Sequence, residues 1–207
     1  MKSIPLKIVL VVTLAVFVWS GINPVDRFTW FLEVLPALVV FAILVATRNR
    51  FRFSDFSYIL ICLHAMILMI GGHTTYAGMP LFNWIRDNFG LARNYYDRVG
   101  HFAQGFVPAL VAREYFLRKN IINGRGWQFF LIISTVLGFS TFYEFFEWWM
   151  SLASGQAADA FLATQGDVWD TQWDMFMCLI GSVVALATLS RLQDRVLQKM
   201  KGKIGIT

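Results

Sequence analysis

The sequence predicts an all-α membrane protein, a polytopic helical bundle of about six transmembrane helices in a single integral membrane domain, residues 1–207. Three observations lead to this prediction: the apolar composition, the long apolar runs and the uneven distribution of basic residues. Of 207 residues, 57% are hydrophobic and 15% are charged, whereas soluble domains are about 45–50% apolar and about 25% charged. Six spans of about 20 residues use roughly 120 positions, so too little chain remains for a separate soluble catalytic domain.

Six apolar segments have lengths typical of membrane-spanning helices. They cover approximately residues 6–22, 30–47, 56–71, 99–117, 127–149 and 173–189. Asn23 and Pro24 end the first segment, and Pro108 is predicted to kink the fourth. No small-residue cleavage pattern follows the first segment, which is therefore predicted to be an uncleaved span.

The basic residues predict the orientation of the bundle. If the N-terminus is cytoplasmic, only Arg27, Arg86, Arg93 and Arg98 of the 18 Lys and Arg residues fall on the outer side. This positive-inside pattern predicts that both termini are cytoplasmic. The net charge of +5 is thereby explained by membrane orientation, and the predicted partner is the lipid bilayer, with no nucleic acid.

Acidic residues and histidines gather near the outer side, at spacings that place them on shared helix faces. The sets are Asp97 with His101 and Gln104, Glu144 with Glu147, and Asp167 with Asp170 and Asp174. Ionisable groups at membrane depth are costly, so they tend to face the bundle interior and to pair. The sequence therefore predicts one polar pocket that opens to the outer face.

The chemistry of this pocket has several interpretations. Carboxylates and imidazoles are ligands for a divalent metal such as Zn²⁺, Mn²⁺ or Fe²⁺, and the candidate ligands are His73, His101, Asp97, Asp170 and Asp174. The candidate catalytic residues are Glu144, Glu147, Asp167 and Arg98. Together they suit a membrane-embedded enzyme in which the metal activates water for attack on a lipid or envelope precursor. The residues equally allow a proton or substrate site of a transporter, or structural salt bridges such as Arg98 with Glu144 or Glu147.

Smaller patterns add further expectations. Leu81, Trp84, Ile85 and Phe89 form one face of a short helix after Pro80, which predicts a helix lying in the membrane interface. Two small-residue pairs, Gly105 with Ala109 and Gly181 with Ala185, predict close helix packing. Cys62 and Cys178 are expected to be core residues, and His64 a hydrogen-bonded one.

Four stretches carry a resemblance to known proteins: GHTTY at 72–76, YDRVGH at 96–101, EFFEW at 144–148 and GDVWDTQWDM at 166–175. With these, the chain resembles the YjdF-like family of bacterial inner-membrane proteins, a family defined by a domain of unknown function, over essentially its whole length. The resemblance implies a multi-pass protein of the bacterial cell inner membrane and supplies no reaction.

A weaker similarity, over residues 97–187, is to VanZ-like membrane proteins. The positions that correspond to that pattern are Asp97, His101, Glu144 or Glu147, Asp170 and Asp174. Arg98 stands where that family usually has lysine, and Met177-Cys178 where asparagine is common. The similarity implies a role in the chemistry of the cell envelope and no specific reaction.

Overall fold

The computed structural model describes residues 4–154 and 159–204, and within these ranges all regular secondary structure is helical. In chain order the helices are α1 (Ile4–Ser20), α2 (Arg27–Thr47), α3 (Asp55–Thr74), α4 (Pro80–Phe89), α5 (Tyr96–Arg118), α6 (Arg125–Ser154), α7 (Asp159–Leu162) and α8 (Asp170–Ile204). The all-α prediction is confirmed, and the six predicted spans coincide with α1, α2, α3, α5, α6 and α8.

Four helices are long and apolar enough to cross a membrane. They are α2, α3, α6 and the part of α8 over Asp170–Met200. Helix α1 is equally apolar but has 17 residues. Helix α5 has 23 residues, and polar side chains along its first half lower its hydropathy. These features make the protein a membrane-embedded helical bundle, while six crossings and the cytoplasmic position of both termini stay predictions.

Helices α5 and α8 form the central pair of the bundle, and glycines bring their backbones together. A Cβ atom at Gly105 would collide with the backbone carbonyl of Cys178, and one at Gly181 would collide with that of Phe102. Ala109 and Ala185 are completely buried beside them. The prediction of close packing through small residues is therefore confirmed.

One end of the bundle, here called the α4 end, carries α4 and the connections on either side of it. Pro80 begins α4 and Gly90, with a φ of 62°, ends it in the left-handed region. Leu81, Trp84 and Phe89 are exposed, as expected for a helix in the membrane interface.

Two connections at the α4 end are fastened to each other. The backbone N–H of Asn94 donates to Gln165 Oε1 at 2.9 Å, and Gln165 Nε2 donates to the Asn94 carbonyl at 2.8 Å. The Asn94 side chain also donates to Asn83 Oδ1 on α4 at 2.9 Å. These bonds fix the segments that lead into α5 and α8.

The opposite end holds a separate buried carboxylate. Glu114 on α5 accepts from Ser54 N at 2.7 Å, from the Ser57 hydroxyl at 2.6 Å and from Arg118 at 2.8 Å. Because all its partners lie at the start of α3 or one turn along α5, Glu114 joins these two helices. Its hydrogen bonds are satisfied, so it plays a structural role.

Candidate functional site: a buried cluster of histidine, carboxylates and arginines

Polar side chains meet where the first turns of α5 face the first turns of α8. Along α5, Asp97, His101 and Gln104 follow one another on one face, each one turn after the last. On α8, Asp170 and Asp174 are likewise one turn apart. The close approach of α5 and α8 at Gly105 and Gly181 brings these two faces together.

Two arginines and four aspartates form a buried ion network, here called the Asp/Arg network. Its members are Arg93, Asp97, Arg98, Asp167, Asp170 and Asp174. Arg93 lies 2.5 Å from Asp170 and also donates to the Ala163 carbonyl at 2.9 Å. Arg98 lies 2.6 Å from Asp170 and forms an ion pair with Asp174. Except for the Asp167 carboxyl, these side chains are at least nine-tenths buried.

His101 lies against this network with its two ring nitrogens in different surroundings. Nδ1 is 2.9 Å from Gln104 Oε1. Nε2 is 3.4 Å from Asp97 Oδ1 and 3.6 Å from Asp174 Oδ1. Since an amide oxygen only accepts hydrogen bonds, Nδ1 carries the hydrogen, and in the neutral ring Nε2 keeps the lone pair. Nε2 therefore faces two carboxylates, to which a protonated ring donates and beside which a neutral ring offers a lone pair to a cation.

Asp97, His101 and Asp174, here called the His101 triad, satisfy the geometry of a metal-ligand set. One ligand atom from each residue lies within 4.8 Å of the others, and all three residues are buried. Among the residues that the structure describes, this is the group of three His, Cys, Asp or Glu side chains whose ligand atoms lie this close together.

Glu144 approaches the His101 triad from α6. The residue is buried, and its Oε1 lies 3.8 Å from His101 Nδ1. Among the described residues, this oxygen has no hydrogen-bond partner. A buried unsatisfied carboxylate oxygen is costly, so its position beside the triad calls for a function.

The site carries more negative than positive charge. Counted formally, the four aspartates and two arginines of the Asp/Arg network sum to a charge of −2. Glu144 adds a further carboxyl group, and Glu33 on α2 is buried near Asp97 and His101. The arrangement therefore favours a cation or protons over an anion.

A small cavity of about 50 Å³ extends the site towards α3, and its polar lining includes His64, Tyr76, Gln104 and Tyr143. Among the described residues, His64 Nε2 has no hydrogen-bond partner, and the expectation of a hydrogen-bonded His64 stays a prediction for its other ring nitrogen. Tyr76 lies outside the apolar helices, and burial, then the nearby Glu33, raises the pKa of its phenol. Its hydroxyl therefore stays protonated near neutral pH and can bind water or a polar group in the cavity.

Comparison with known proteins identifies the family. Residues 5–195 match a family described as "Predicted membrane protein (DUF2238)". The chain belongs to the DUF2238 family. It is also 46% identical to the inner membrane protein YjdF of Escherichia coli (strain K12) over 184 residues, which cover 89% of this chain and 88% of that protein. No solved structure matches the chain.

Membership of the DUF2238 family agrees with the apolar helices, and the chain is a multi-pass inner-membrane protein. The family description and the name of the relative give no reaction.

Most of the residues selected from the sequence come together in this DUF2238 protein. The structure places Asp97, Arg98, His101, Asp167, Asp170 and Asp174 in direct contact, with Glu144 beside them. Glu147 is half-buried one turn further along α6. Arg98 pairs with the aspartates, whereas the suggested salt bridge was with Glu144 or Glu147.

His73 lies elsewhere. Its Nδ1 is 3.0 Å from the Ser20 carbonyl oxygen, and its ring lies 4.3 Å from that of Trp19. These contacts are with the end of α1, and His73 is outside the His101 triad.

Arg93 is not recognised from the sequence, whereas Gln104 is grouped with His101 by its spacing but given no role. Arg93 precedes Asp97 by four positions, the same spacing that groups Asp97 with His101, and the two residues form an ion pair at 3.5 Å. Gln104 follows His101 by three positions and holds its ring. Helical spacing could also have found Arg93, although this residue lies just before the first turn of α5.

Proposed function

We propose that this protein is a metal-dependent membrane enzyme. In this proposal the His101 triad binds a divalent cation, which would activate water for attack on a lipid or envelope-precursor substrate. One observation carries the proposal: three potential ligand atoms, from Asp97, His101 and Asp174, lie within 4.8 Å of one another in a buried site. Imidazole and carboxylate together suit Zn²⁺, Mn²⁺ or Fe²⁺.

The surroundings of His101 support this proposal. Histidines that bind metals usually donate their other ring N–H to an oxygen acceptor, which fixes the tautomer and orients the ring. Gln104 Oε1 accepts at 2.9 Å from Nδ1 and leaves Nε2 for the metal. Gln104 is thus a positioning residue for the ligand His101.

The charge of the site supports a cation. The Asp/Arg network has a formal charge of −2, to which Glu144 and Glu33 add two further carboxyl groups. Without such an ion, closely spaced carboxylates at low dielectric repel one another. The cation would offset this repulsion while a neutral His101 serves as a ligand.

The remaining candidates have distinct roles in this scheme. Glu144 Oε1 has no hydrogen-bond partner among the described residues and lies 3.8 Å from His101 Nδ1. It would be a general base beside the His101 ring, and a divalent ion held by the triad would supply the activation of water. Asp170 holds Arg93 and Arg98, and Arg98 orients Asp174. Asp167, which pairs with Arg93 and Arg98, and Glu147, one turn beyond Glu144 on α6, would be alternative acid–base residues.

A second candidate function is a proton site in a transporter. The cavity of about 50 Å³ favours it, because His64, Tyr76, Gln104 and Tyr143 extend the polar region away from the His101 triad. In that case His101 and its carboxylates would exchange protons through the cavity, and no metal would bind.

Metal analysis separates these functions. The protein is purified without chelator, and bound metal is measured by mass spectrometry together with titration of the metal-free protein with Zn²⁺ and Mn²⁺. We expect one metal ion per chain in the wild type and in the control His73→Ala, because His73 contacts α1. His101→Ala and Asp174→Asn should lose the ion. Absence of stoichiometric metal from the wild type, or its retention in both triad variants, overturns the metal enzyme.

A further inference from the structure

Three basic side chains lie together at the end of the bundle opposite the α4 end. Arg48 and Arg50 belong to the turn that closes α2, where the N–H of Arg50 donates to the Thr47 carbonyl at 2.8 Å. Lys119 caps the end of α5, and its Nζ lies 5.7 Å from the centroid of the Phe51 ring. Phe51 follows Arg50 directly. We call Arg48, Arg50 and Lys119 the basic patch.

Aromatic contacts and one hydrogen bond hold the two halves of the basic patch together. The Phe51 ring lies edge-on to that of Tyr115, with 5.1 Å between the ring centroids. The guanidinium of Arg118 lies 4.2 Å over the Phe51 ring and donates to the Arg52 carbonyl at 2.6 Å. The connection between α2 and α3 is thereby fastened to the end of α5. The basic side chains are gathered by the fold itself, which lowers the entropic cost of binding a ligand there.

The three cations of the basic patch are available to an anion. Each is exposed, and none forms an ion pair with another described residue. The described acids at this end pair with other arginines: Asp55 with Arg52 at 3.3 Å, Glu114 with Arg118 at 2.8 Å and Asp194 with Arg113 at 2.7 Å. The positive charge of the patch is therefore uncompensated, whereas each arginine of the Asp/Arg network faces several carboxylates.

The basic patch borders a surface that faces lipid. Val45 on α2 precedes Arg48 by three residues and is about half exposed. Trp127 and Phe130, in the first turns of α6, are more than half exposed, and tryptophan is enriched where the headgroups meet the acyl chains. The patch thus lies at the depth of phospholipid headgroups, with exposed apolar side chains next to it at the depth of the acyl chains.

The charge of the basic patch selects the headgroup. A phosphate between basic side chains forms charge-assisted hydrogen bonds, and basic residues beside a membrane-spanning helix attract anionic lipids. A zwitterionic headgroup also brings an ammonium, which the cations of the patch repel and for which the patch offers no carboxylate. A headgroup with a net negative charge complements it better.

We propose that the basic patch binds an anionic phospholipid, with its phosphate at Arg50 and Lys119 and its acyl chains along the lipid-facing side of α2. The bound lipid anchors the connection between α2 and α3 at the membrane surface. It lies at the opposite end of the bundle from the His101 triad, so its binding does not depend on a metal there.

Lipid selectivity is measured by native mass spectrometry of the full chain. The delipidated protein in detergent is mixed with equal amounts of phosphatidylglycerol and phosphatidylethanolamine, and the bound lipids are identified. The wild type should retain phosphatidylglycerol in preference by about tenfold or more, since each basic residue at the surface strengthens binding of an anionic lipid about fivefold. Equal retention of the two lipids, or a preference for phosphatidylethanolamine, overturns the proposal.

Two double variants separate the basic patch from the general positive charge of this end. Arg50→Gln combined with Lys119→Gln should lower the retention of phosphatidylglycerol about tenfold or more. Arg191→Gln combined with Arg195→Gln removes the same charge from exposed positions of α8 and should retain the lipid as the wild type does. All four side chains are exposed, so both variants should unfold at the midpoint of the wild type. Equal retention by the two double variants contradicts a site at the patch.

A soluble competitor distinguishes a lipid from a free phosphate ester. Glycerol phosphate carries the phosphate without acyl chains. At the concentration of the lipid it should leave phosphatidylglycerol bound, because the acyl chains bury additional apolar surface against α2. If glycerol phosphate displaces the lipid at equal concentration, the basic patch binds soluble phosphate esters and the assignment to a phospholipid is wrong.

Discussion

His101 Nδ1 lies 2.9 Å from Gln104 Oε1, one turn further along α5. This contact fixes the hydrogen on Nδ1 and turns Nε2 towards Asp97 and Asp174 at 3.4 Å and 3.6 Å. Gln104, which is not itself a proposed ligand, therefore sets the orientation of the His101 ring.

Removal of the Gln104 acceptor should weaken metal binding. We expect Gln104→Ala to lower metal affinity about 10–100-fold, the usual effect of losing such a supporting contact, and Gln104→Glu to restore most of it. Calorimetric titration of the metal-free protein measures both. Gln193→Ala is the control, because Gln193 is also buried but bonds to Leu110 away from the triad. Equal affinity in Gln104→Ala and Gln193→Ala would count against a positioning role.

Loss of Arg98 should destabilise the fold. Arg98→Met leaves buried carboxylates unpaired, which costs about 3–5 kcal/mol when one partner of a buried pair is removed. The unfolding midpoint in detergent measures this loss. Arg98→Met combined with Asp174→Leu should recover part of it. Arg86→Met, which breaks an exposed pair with Asp87, should leave the midpoint unchanged. Equal midpoints for Arg98→Met and Arg86→Met would refute a stabilising network.

The α5–α8 crossing should not tolerate a methyl group. Gly105→Ala places a Cβ against the backbone carbonyl of Cys178, and we expect a cost of about 1–3 kcal/mol from overpacking. Gly138→Ala on α6 meets no atom within 4 Å, and should raise stability by about 0.5–1 kcal/mol through helix propensity. Thermal unfolding of both variants measures whether Gly105→Ala lowers the stability and Gly138→Ala raises it. A stabilising effect of Gly105→Ala would contradict the close crossing.

Cysteine labelling tests the orientation predicted from the basic residues. Val168 is exposed at the α4 end, Ile121 is exposed at the opposite end, and the native Cys62 and Cys178 are buried. A membrane-impermeant maleimide should label Val168→Cys in intact spheroplasts, and Ile121→Cys after lysis alone. The reverse labelling would place the site on the cytoplasmic side.

The helices and much of the site follow from sequence pattern. Apolar run length predicts the long helices, and helical spacing places Asp97 with His101 and Asp170 with Asp174, because residues three or four apart share a face. Gly105 and Gly181 mark the central crossing for a comparable reason, since small residues let two backbones approach.

Spacing alone does not predict which faces of different helices meet. Histidine is a common metal ligand, yet the rotation of α3 places the ring of His73 beside the Ser20 carbonyl oxygen. Arg98 bonds Asp174, which lies 76 positions later, in preference to the acids of α6. Both outcomes depend on how α1, α3, α6 and α8 pack, and that packing involves contacts distant in sequence.

X-ray absorption spectroscopy tests the central claim, metal binding by the His101 triad, most directly. The purified protein is loaded with one equivalent of Zn²⁺, and the coordination shell is compared with that of His101→Ala. We predict a shell of oxygen ligands and one imidazole nitrogen in the wild type, with loss of the imidazole signal in the variant. A shell without imidazole in the wild type, or an imidazole signal that persists in His101→Ala, would contradict the account.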